Sequence, residues 1–514
     1  MSMSDVLKVR KNKEERHRLL LQLDTLMGNW KGQLANLLDI FQNEEIEWLL
    51  TDCVNSKEEW KNDDAGERFI KLVVRSGYKD VPDEDGEPSS LRTTPIHRAA
   101  RLDYDHMVRE LFNVYDGFDV NYVDESGYTH FHAACKSSCV VAVEKFLELG
   151  QDPNLRVPET GDSPLHLALN QDYKLKIVAL LLRKGADPNI ANTEGATPLH
   201  VLRDGYYGND LERIFFKIID EQHRTLEVDA RDKLGNTPLH LALRNDNRNT
   251  AESLLRRGAD PNLADANGTT ALHLICRRDN DDGLLQLFFK ICDERHRPVK
   301  IDVRDKLGRT PLQWAVANFL PDAIDTLLDR GADLSEFAFP DASYFGEGRG
   351  PKHYMWGDFE LNLTSGAMIV VERLEKRGYK LHRNDALMIM EMFSKCSLFY
   401  KYEDLEERWY DEPCFKREAK EATIVPGLSL YDLIQLRPDD EEAKLLTYED
   451  YFRFASSGLI VVVSSRKYRK VCANDLCEKL TREFYRRWAL ESFLDKTRYL
   501  MNEDLHQICL EAVK

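Results

Sequence analysis

One short word returns seven times through the middle of this sequence: TTPIH (Thr93–His97), YTHFH (Tyr128–His132), DSPLH (Asp162–His166), ATPLH (Ala196–His200), NTPLH (Asn236–His240), TTALH (Thr269–His273) and RTPLQ (Arg309–Gln313). Counted from the last residue of each copy, the steps are 35, 34, 34, 40, 33 and 40 residues. A return at this period constrains the fold more than any other feature. Each copy is a supersecondary unit too small to bury its own apolar face, so the copies must stack on one another.

The word explains its own conformation. Thr is a helix N-cap, and Pro after it occupies the first helical position, where a missing N–H costs nothing. A second signature, GADPN, stands at Gly185–Asn189 and recurs in related form at Gly150–Asn154, Gly258–Asn262 and Gly331–Ser335. Gly there supplies a left-handed helix C-cap, and Asp-Pro-Asn forces an extended turn. Each repeat therefore reads turn, helix, helix, loop. Leu180–Leu182, Leu254–Leu255 and Leu327–Leu328 supply outer-helix packing, while Leu167, Ala168, Leu241 and Ala242 keep the inner helices apolar.

The two 40-residue steps carry an internal echo. Leu211, Ile214, Phe215, Ile218 and Ile219 form one helical stripe, and Leu284, Leu287, Phe288, Ile291 and Cys292 repeat it 73 residues later. The words FFKI and RDKLG sit at the same offset, as after a duplication of a two-repeat block. Both long repeats should have a lengthened outer helix or following loop.

The 514 residues carry a net charge of −18 and a pI near 5.4, which argues against a nucleic-acid binder. The longest apolar run, Leu459–Val463, is five residues, too short for a membrane span, and the N-terminus has no apolar signal core. Ten cysteines occur without CxxC pairs, so neither a disulfide framework nor a zinc module is expected. These features point to a reducing, intracellular compartment, cytoplasmic or also nuclear.

Residues 1–89 read as a helical N-terminal region ending in a degenerate capping repeat around Phe69–Gly77; Leu34, Leu37, Leu38 and Phe41 form one stripe, and Asn43 looks like the cap of the next helix. Repeats fill 90–336. The segment 337–357, with Gly346, Gly348 and Gly350, is an irregular connector; GEGRG lacks the Lys-Ser/Thr of a phosphate loop. Residues 358–514 are helical without a period. Asn384 is the expected cap of one helix there, Leu428–Leu436 should be a short amphipathic helix, and Thr447 with Asp450 suggests a capping box. Leu476, Leu480, Phe484 and Trp488 fall on one face of a long helix, and Leu505, Ile508 and Cys509 on one face of the last.

No HExxH, GxSxG or GxxxxGK[ST] motif is present, so no catalytic residues are expected, and an enzyme would need a deep pocket of perturbed titratable groups in 357–475. His97, His132, His166, His200, His240 and His273 are spaced too widely to share a metal. They read as neutral imidazoles that hold the turns, and neither metal nor cofactor is expected. The basic run Arg466, Lys467, Arg469 and Lys470 reads as a solvated face, with nuclear import or phosphate binding as alternatives. Without a signal peptide, Asn267-Gly-Thr and Asn362-Leu-Thr carry no glycosylation meaning.

These motifs make residues 90–336 resemble the ankyrin-repeat family. The resemblance implies an all-α solenoid with a helical N-terminal cap and a helical C-terminal domain, binding a protein ligand on its concave face. Candidate contacts are the hairpin tips Asn192, Glu194, Asp232, Lys233, Asn267, Asp305 and Lys306 and the inner-helix ends Arg203, Arg244 and Arg277. That arginine row is the foremost candidate for binding energy, since Arg is favoured in hot spots.

In the tail, LSLYDLIQL, LLTYEDYF and LCEKLTREFYRRWAL followed by MNEDLHQICLEAV resemble the PRANC module, at 428–514, of insect and poxvirus ankyrin proteins. That module is F-box-like, and the resemblance implies docking onto the adaptor of a cullin–RING ubiquitin ligase through Leu476, Leu480, Leu490, Phe493, Leu505 and Ile508. Two functions follow, a ligase substrate receptor or a plain scaffold. The state of the F-box-like helix between Trp488 and Met501 separates them.

Overall fold

The computed structural model describes residues 16, 18–23, 37, 41–59, 65–80, 91–169, 175–202, 211–278, 282–340, 344, 359–395, 409–436 and 446–497. They belong to two compact units, Met1–Ala266 and Asn267–Lys514. Helix dominates both, and the fold is all-α, a stack of helix pairs; among the described residues extended pairing is confined to a two-stranded hairpin and isolated bridges at Leu91, Val123 and Thr129.

Each motif opens an inner helix followed by an outer one. The inner helices are Pro95–Arg101, His130–Lys136, Pro164–Leu169, Pro198–Val201, Pro238–Arg244, Ala271–Cys276 and Pro311–Ala317. The outer helices are Asp105–Leu111, Val140–Glu148, Leu175–Arg183, Leu211–Glu221, Arg248–Arg256, Leu284–Glu294 and Pro321–Asp329. The two that follow the long steps, Leu211–Glu221 and Leu284–Glu294, have 11 residues. Other outer helices have 9 or fewer, so the extra length was legible in the spacing.

The motif histidine explains why the repeats lock together. It sits at the third helical position, where a capping box normally has Glu or Gln. His200 Nδ1 accepts the Thr197 backbone N–H at 3.0 Å, so its proton resides on Nε2, which donates to the Asn236 carbonyl of the next hairpin at 3.1 Å. His97 does the same to Tyr122, His132 to Leu155, His166 to Ala196 and His273 to Arg309, at 2.8–3.1 Å. Gln313 replaces the imidazole with the same connections: its Oε1 accepts Thr310 N–H and its Nε2 donates to Ala338 O, both at 2.9 Å. All six histidines are buried.

Ahead of the first repeat, helix Asn43–Glu59 packs on inner helix Pro95–Arg101, and helix Ala65–Arg75 packs on outer helix Asp105–Leu111. The pair fills the place of a preceding repeat. Arg92 fastens it, donating to Glu47 at 2.7 Å and to Asp80 at 3.0 Å, while the Tyr122 hydroxyl donates to Asp80 at 2.8 Å.

After the last repeat, helix Phe359–Lys376 packs on outer helix Pro321–Asp329 and on helices Tyr448–Ser456 and Arg466–Thr497. Arg373 reaches Asp325 at 2.9 Å and Glu449 at 2.7 Å, and Arg377 reaches Asp329 at 2.6 Å. Gly366 lets the helix pass Phe319: a Cβ there would lie 2.8 Å from the Phe319 Cβ and ring. Leu476, Leu480, Phe484 and Trp488 all face the core of this second unit.

Three local expectations are corrected, for Leu428–Leu436, for Asn384 and for Asn43 as a helix cap. Leu428–Leu436 is not helical throughout: Leu428–Ser429 pairs antiparallel with Thr423–Val425, and the helix runs Leu430–Gln435. The cause is Pro426-Gly427, whose Gly φ of 91° turns the chain back and leaves Ser429 to cap the helix with Asp432. Asn384 does not cap its helix, which begins at Arg383; the Asp385 carboxylate takes the His382 N–H at 3.0 Å instead. The Thr447–Asp450 capping box forms, with Thr447 accepting the Asp450 N–H. Asn43 is the first residue of its helix, and Glu45 accepts the N–H of Gln42 ahead of it. Leu34, Leu38 and GEGRG lie outside the described residues.

His200→Ala should destabilise the protein by about 1–3 kcal/mol, because it orphans the buried Thr197 N–H and removes the inter-repeat bond to Asn236 O, which keeps only the Asp232 N–H of its own turn. His200→Gln should recover most of that loss, as Gln313 does natively; denaturant unfolding monitored by circular dichroism measures both. Acid should weaken the same joints. Burial pushes His97 down to about 4 from 6.5 and lowers His132, His166, His200 and His273. Between about pH 6.5 and 4 unfolded His97 then binds more protons than folded His97, so stability should fall as pH falls, by up to about 1.4 kcal/mol per pH unit from this residue, and the other four act in the same direction. Above 6.5 these groups should contribute no slope, and His97→Gln should make the acid limb of a stability–pH curve shallower.

Candidate protein-binding surface

The hairpin tips are built on one carboxylate or amide per turn. Asp232 Oδ1 accepts the N–H groups of Leu234 at 2.9 Å and Asn236 at 2.7 Å, and its Oδ2 accepts the Asn236 side chain. Asn192 holds Glu194 and Ala196, Asp124 holds Ser126 and Tyr128, and Asp305 holds Leu307 and Arg309 in the same way. Glycine closes each of these turns in the left-handed region. At Gly235 a side chain would also press on Ala266 N of the next tip, 3.0 Å away. Backbone bonds join neighbouring tips: Lys233 N–H donates to Glu194 O, and Ala266 N–H to Leu234 O, each at 2.8 Å. In the second unit Lys306 N–H donates to Asn267 O, also at 2.8 Å.

This divides the nominated residues. The side chains of Asn192, Asp232 and Asp305 are occupied within their turns, and Asp305 is buried. Glu194, Lys233, Asn267 and Lys306 are exposed at the tips, with Lys233 3.8 Å from Glu194. Arg244 is exposed but tethered, donating to Asn236 Oδ1 at 2.7 Å and to the buried Asp265 carboxylate. Arg101 makes the same inner-helix-to-tip bridge to Asp124 at 2.6 Å. Arg277 lies over the Trp314 ring at 4.8 Å, and Arg309 also faces that ring at 4.5 Å. Arg203 lies outside the described residues. The arginines are thus oriented by the repeats, a useful property for an interface because less freedom is lost on binding.

Sequence reasoning missed the tip leucines. Leu234 and Leu307 occupy the same place in the two RDKLG words and are 66% and 73% exposed. A Leu at a turn tip in both copies of a duplicated block was the available signal. At the head of the first unit a cleft of about 410 Å³ is lined by Asn55, Arg98, Arg101, Leu102, Asp124 and Ser126, with Arg98 donating to Asn55 at 3.0 Å.

Of the tail residues, Leu476 and Leu480 are buried. Leu490 and Phe493 fall on the backbone of helix Arg466–Thr497 with side chains outside the description, and Leu505 and Ile508 lie outside the described residues. Among the described residues no group of His, Cys, Asp and Glu is arranged to hold a metal, and no helix is long and apolar enough to cross a membrane.

Stacked helix pairs with hydrogen-bonded tips define a repeat-built interaction scaffold. The family described as Ankyrin repeats (3 copies) matches residues 62–157, 165–265 and 239–338, more than half of the sequence, and the chain belongs to that family. Over 263 residues, 50% of this chain, it is 24% identical to the transient receptor potential cation channel subfamily A member 1 of Homo sapiens. Over 106 residues, 21% of the chain, it is 37% identical to human BCL-6 corepressor-like protein 1. Over 95 residues, 18% of the chain, it is 35% identical to human NF-kappa-B inhibitor zeta. These stretches span 22%, 6% and 13% of the respective relatives. The ankyrin repeats make the chain a protein–protein interaction module.

Asp232→Ala should cost about 1–3 kcal/mol, by leaving two turn N–H groups without their acceptor. Lys233→Ala at the same tip should stay within about 0.5 kcal/mol, since its side chain is solvated. Chemical denaturation of the two variants tests whether the tip divides into a framework residue and a surface residue.

Proposed function

We propose that this chain is a non-catalytic adaptor that holds a protein partner on the tip and inner-helix side of its repeats. In the first unit the contact centres on Glu194, Lys233, Leu234 and Arg244, and the Lys-Leu chemistry recurs at Lys306 and Leu307 in the second. The observation that carries this reading is the pair of solvent-exposed leucines kept at identical positions of the duplicated block. Neither side chain is packed in the core, and an exposed aliphatic gains by being covered by a partner, while the tethered Arg244 is of the residue type favoured in hot spots. One relative's name, NF-kappa-B inhibitor zeta, is in keeping with a protein ligand.

The scaffold reading is favoured over the ligase receptor. Leu476 and Leu480, nominated to dock a ligase adaptor, have 0% and 4% exposure and are committed to core packing. Helix Phe359–Lys376, pinned to the last outer helix by Arg373 and Arg377, gives the C-terminal elements a capping role. The physical need is plain, since the last repeat has an apolar side to cover.

Leu234→Asp and Leu307→Asp in the full chain test the reading. Both should fold like the wild type, and each should weaken a partner recovered by affinity purification and measured by calorimetry, by about 2 kcal/mol or roughly 30-fold. Undiminished binding by the double variant would remove the tips from the interface. Stoichiometric recovery of a cullin and its adaptor with the wild-type chain would overturn the scaffold assignment.

A further inference from the structure

The second unit carries an apolar and basic surface that its own packing does not use. Helix Tyr448–Ser456 ends at Gly458, with φ of 66°, which opens a 3-10 turn at Leu459–Val462. Ile460 and Val463 are completely buried and pin the turn, whereas Leu459, Val461 and Val462 remain 38%, 37% and 37% exposed. The Glu418 carboxylate fixes the next residue, accepting the Ser464 N–H at 2.9 Å and the Ser464 hydroxyl at 2.8 Å.

Helix Arg466–Thr497 then starts on a basic run. Tyr468 faces inward, stacked with Trp409 at 6.2 Å and packed on Phe415 at 5.6 Å, and Val471 and Cys472 continue that inward face. Arg466, Lys467 and Lys470 fall on the opposite side, are exposed, and form no ion pair with any described residue. Their placement does not serve stability. The first turn of this helix contains no acidic residue, and cations at the positive end of a helix cost about 0.3–1 kcal/mol each. The chain as a whole bears −18, so this is a local reversal of its field.

We propose that the surface formed by Leu459, Val461 and Val462 with Arg466, Lys467 and Lys470 is a peripheral docking site for an anionic lipid bilayer. The basic side chains would meet lipid phosphates and carboxylates, and the aliphatic turn would enter the headgroup boundary. Neither half suffices alone, and together they give the weak, reversible attachment expected of two modest signals. Charge complementarity selects an anionic occupant, and the aliphatic residues select a bilayer over a nucleic acid. A single-stranded nucleic acid would call for aromatic stacking, yet the half-buried Tyr468 already stacks on Trp409 and packs on Phe415. This inference is independent of the partner held by the repeats.

The test is co-sedimentation of the full chain with phosphatidylcholine vesicles, with and without phosphatidylserine, at low and physiological salt. Binding should require phosphatidylserine and weaken with salt. Reversing two charges in Lys467→Glu/Lys470→Glu should reduce it roughly ten- to a hundredfold, and Val461→Asn/Val462→Asn several-fold. Unchanged melting curves for both double variants establish that folding is intact; if either melts early, Lys467→Gln alone, with an expected loss of several-fold, decides. Equal pelleting with neutral vesicles, no pelleting at low salt, or unaltered binding by the charge-reversed chain would overturn the proposal. So would binding to duplex DNA or polyglutamate that matches the vesicle affinity and ignores the valine substitutions.

Discussion

Everything in the repeat stack depends on a side chain that must accept at one end and donate at the other. The inner helix begins with a backbone N–H that has no helical partner, and the next hairpin presents a carbonyl that already closes its own turn, Asn236 O accepting the Asp232 N–H at 3.0 Å, and has a second lone pair to offer. One neutral imidazole, held between Thr197 N–H and Asn236 O, satisfies both and converts a local cap into an inter-repeat joint. Because both groups are buried, the joint cannot be replaced by water, and its geometry fixes the distance between successive hairpins. Gln313 shows that the requirement is bifunctional hydrogen bonding and not imidazole chemistry. The row of histidines that could suggest metal binding or catalysis thus serves as hydrogen-bonded joints, and burial favours the neutral form of His97, His132, His166, His200 and His273.

The duplicated block shows how such a joint tolerates change elsewhere. Arg257 pairs with Asp220 at 2.6 Å and covers the Phe216 ring at 4.3 Å. Seventy-three residues on, Arg330 pairs with Asp293 at 2.7 Å and covers Phe289 at 4.5 Å. The longer outer helix brings an aromatic ring to the edge of the stack, and the following repeat shields it with a guanidinium anchored to a carboxylate. In both copies the arginine bond holds the aspartate below its usual carboxylate range. Stack extension here is a matched set of helix length, ring and ion pair.

How far the sequence disclosed this follows from period. The seven helix pairs, the long outer helices and the role of the histidines were legible because each is written several times, and repetition separates signal from accident. The Leu428–Ser429 strand was not, because a Pro-Gly turn competes locally with an apolar helical pattern and only tertiary packing decides. The tips were misread for a related reason. Asp232 and Asp305 look like exposed charge in the sequence, yet their oxygens close the turn on which they sit. Leu234 and Leu307, apolar by type and passed over in the sequence, are left in solvent.

That inversion separates framework from function in this chain. The recurrent residues, a capping Thr or Ser, a bifunctional His or Gln, a tip carboxylate or amide and its Gly, have their polar groups satisfied within the stack and so have little left to offer a partner. Residues the stack does not require surface where a repeat departs from its neighbours, as Leu234 and Leu307 do at two of the tips. Arg244 stands between the two groups, because its bridge to Asp265 is both a support for the tip and a means of holding an exposed guanidinium in one direction. A partner that met it would encounter a charge already ordered by the fold, so the entropy of arranging that contact is met largely by folding and not by binding.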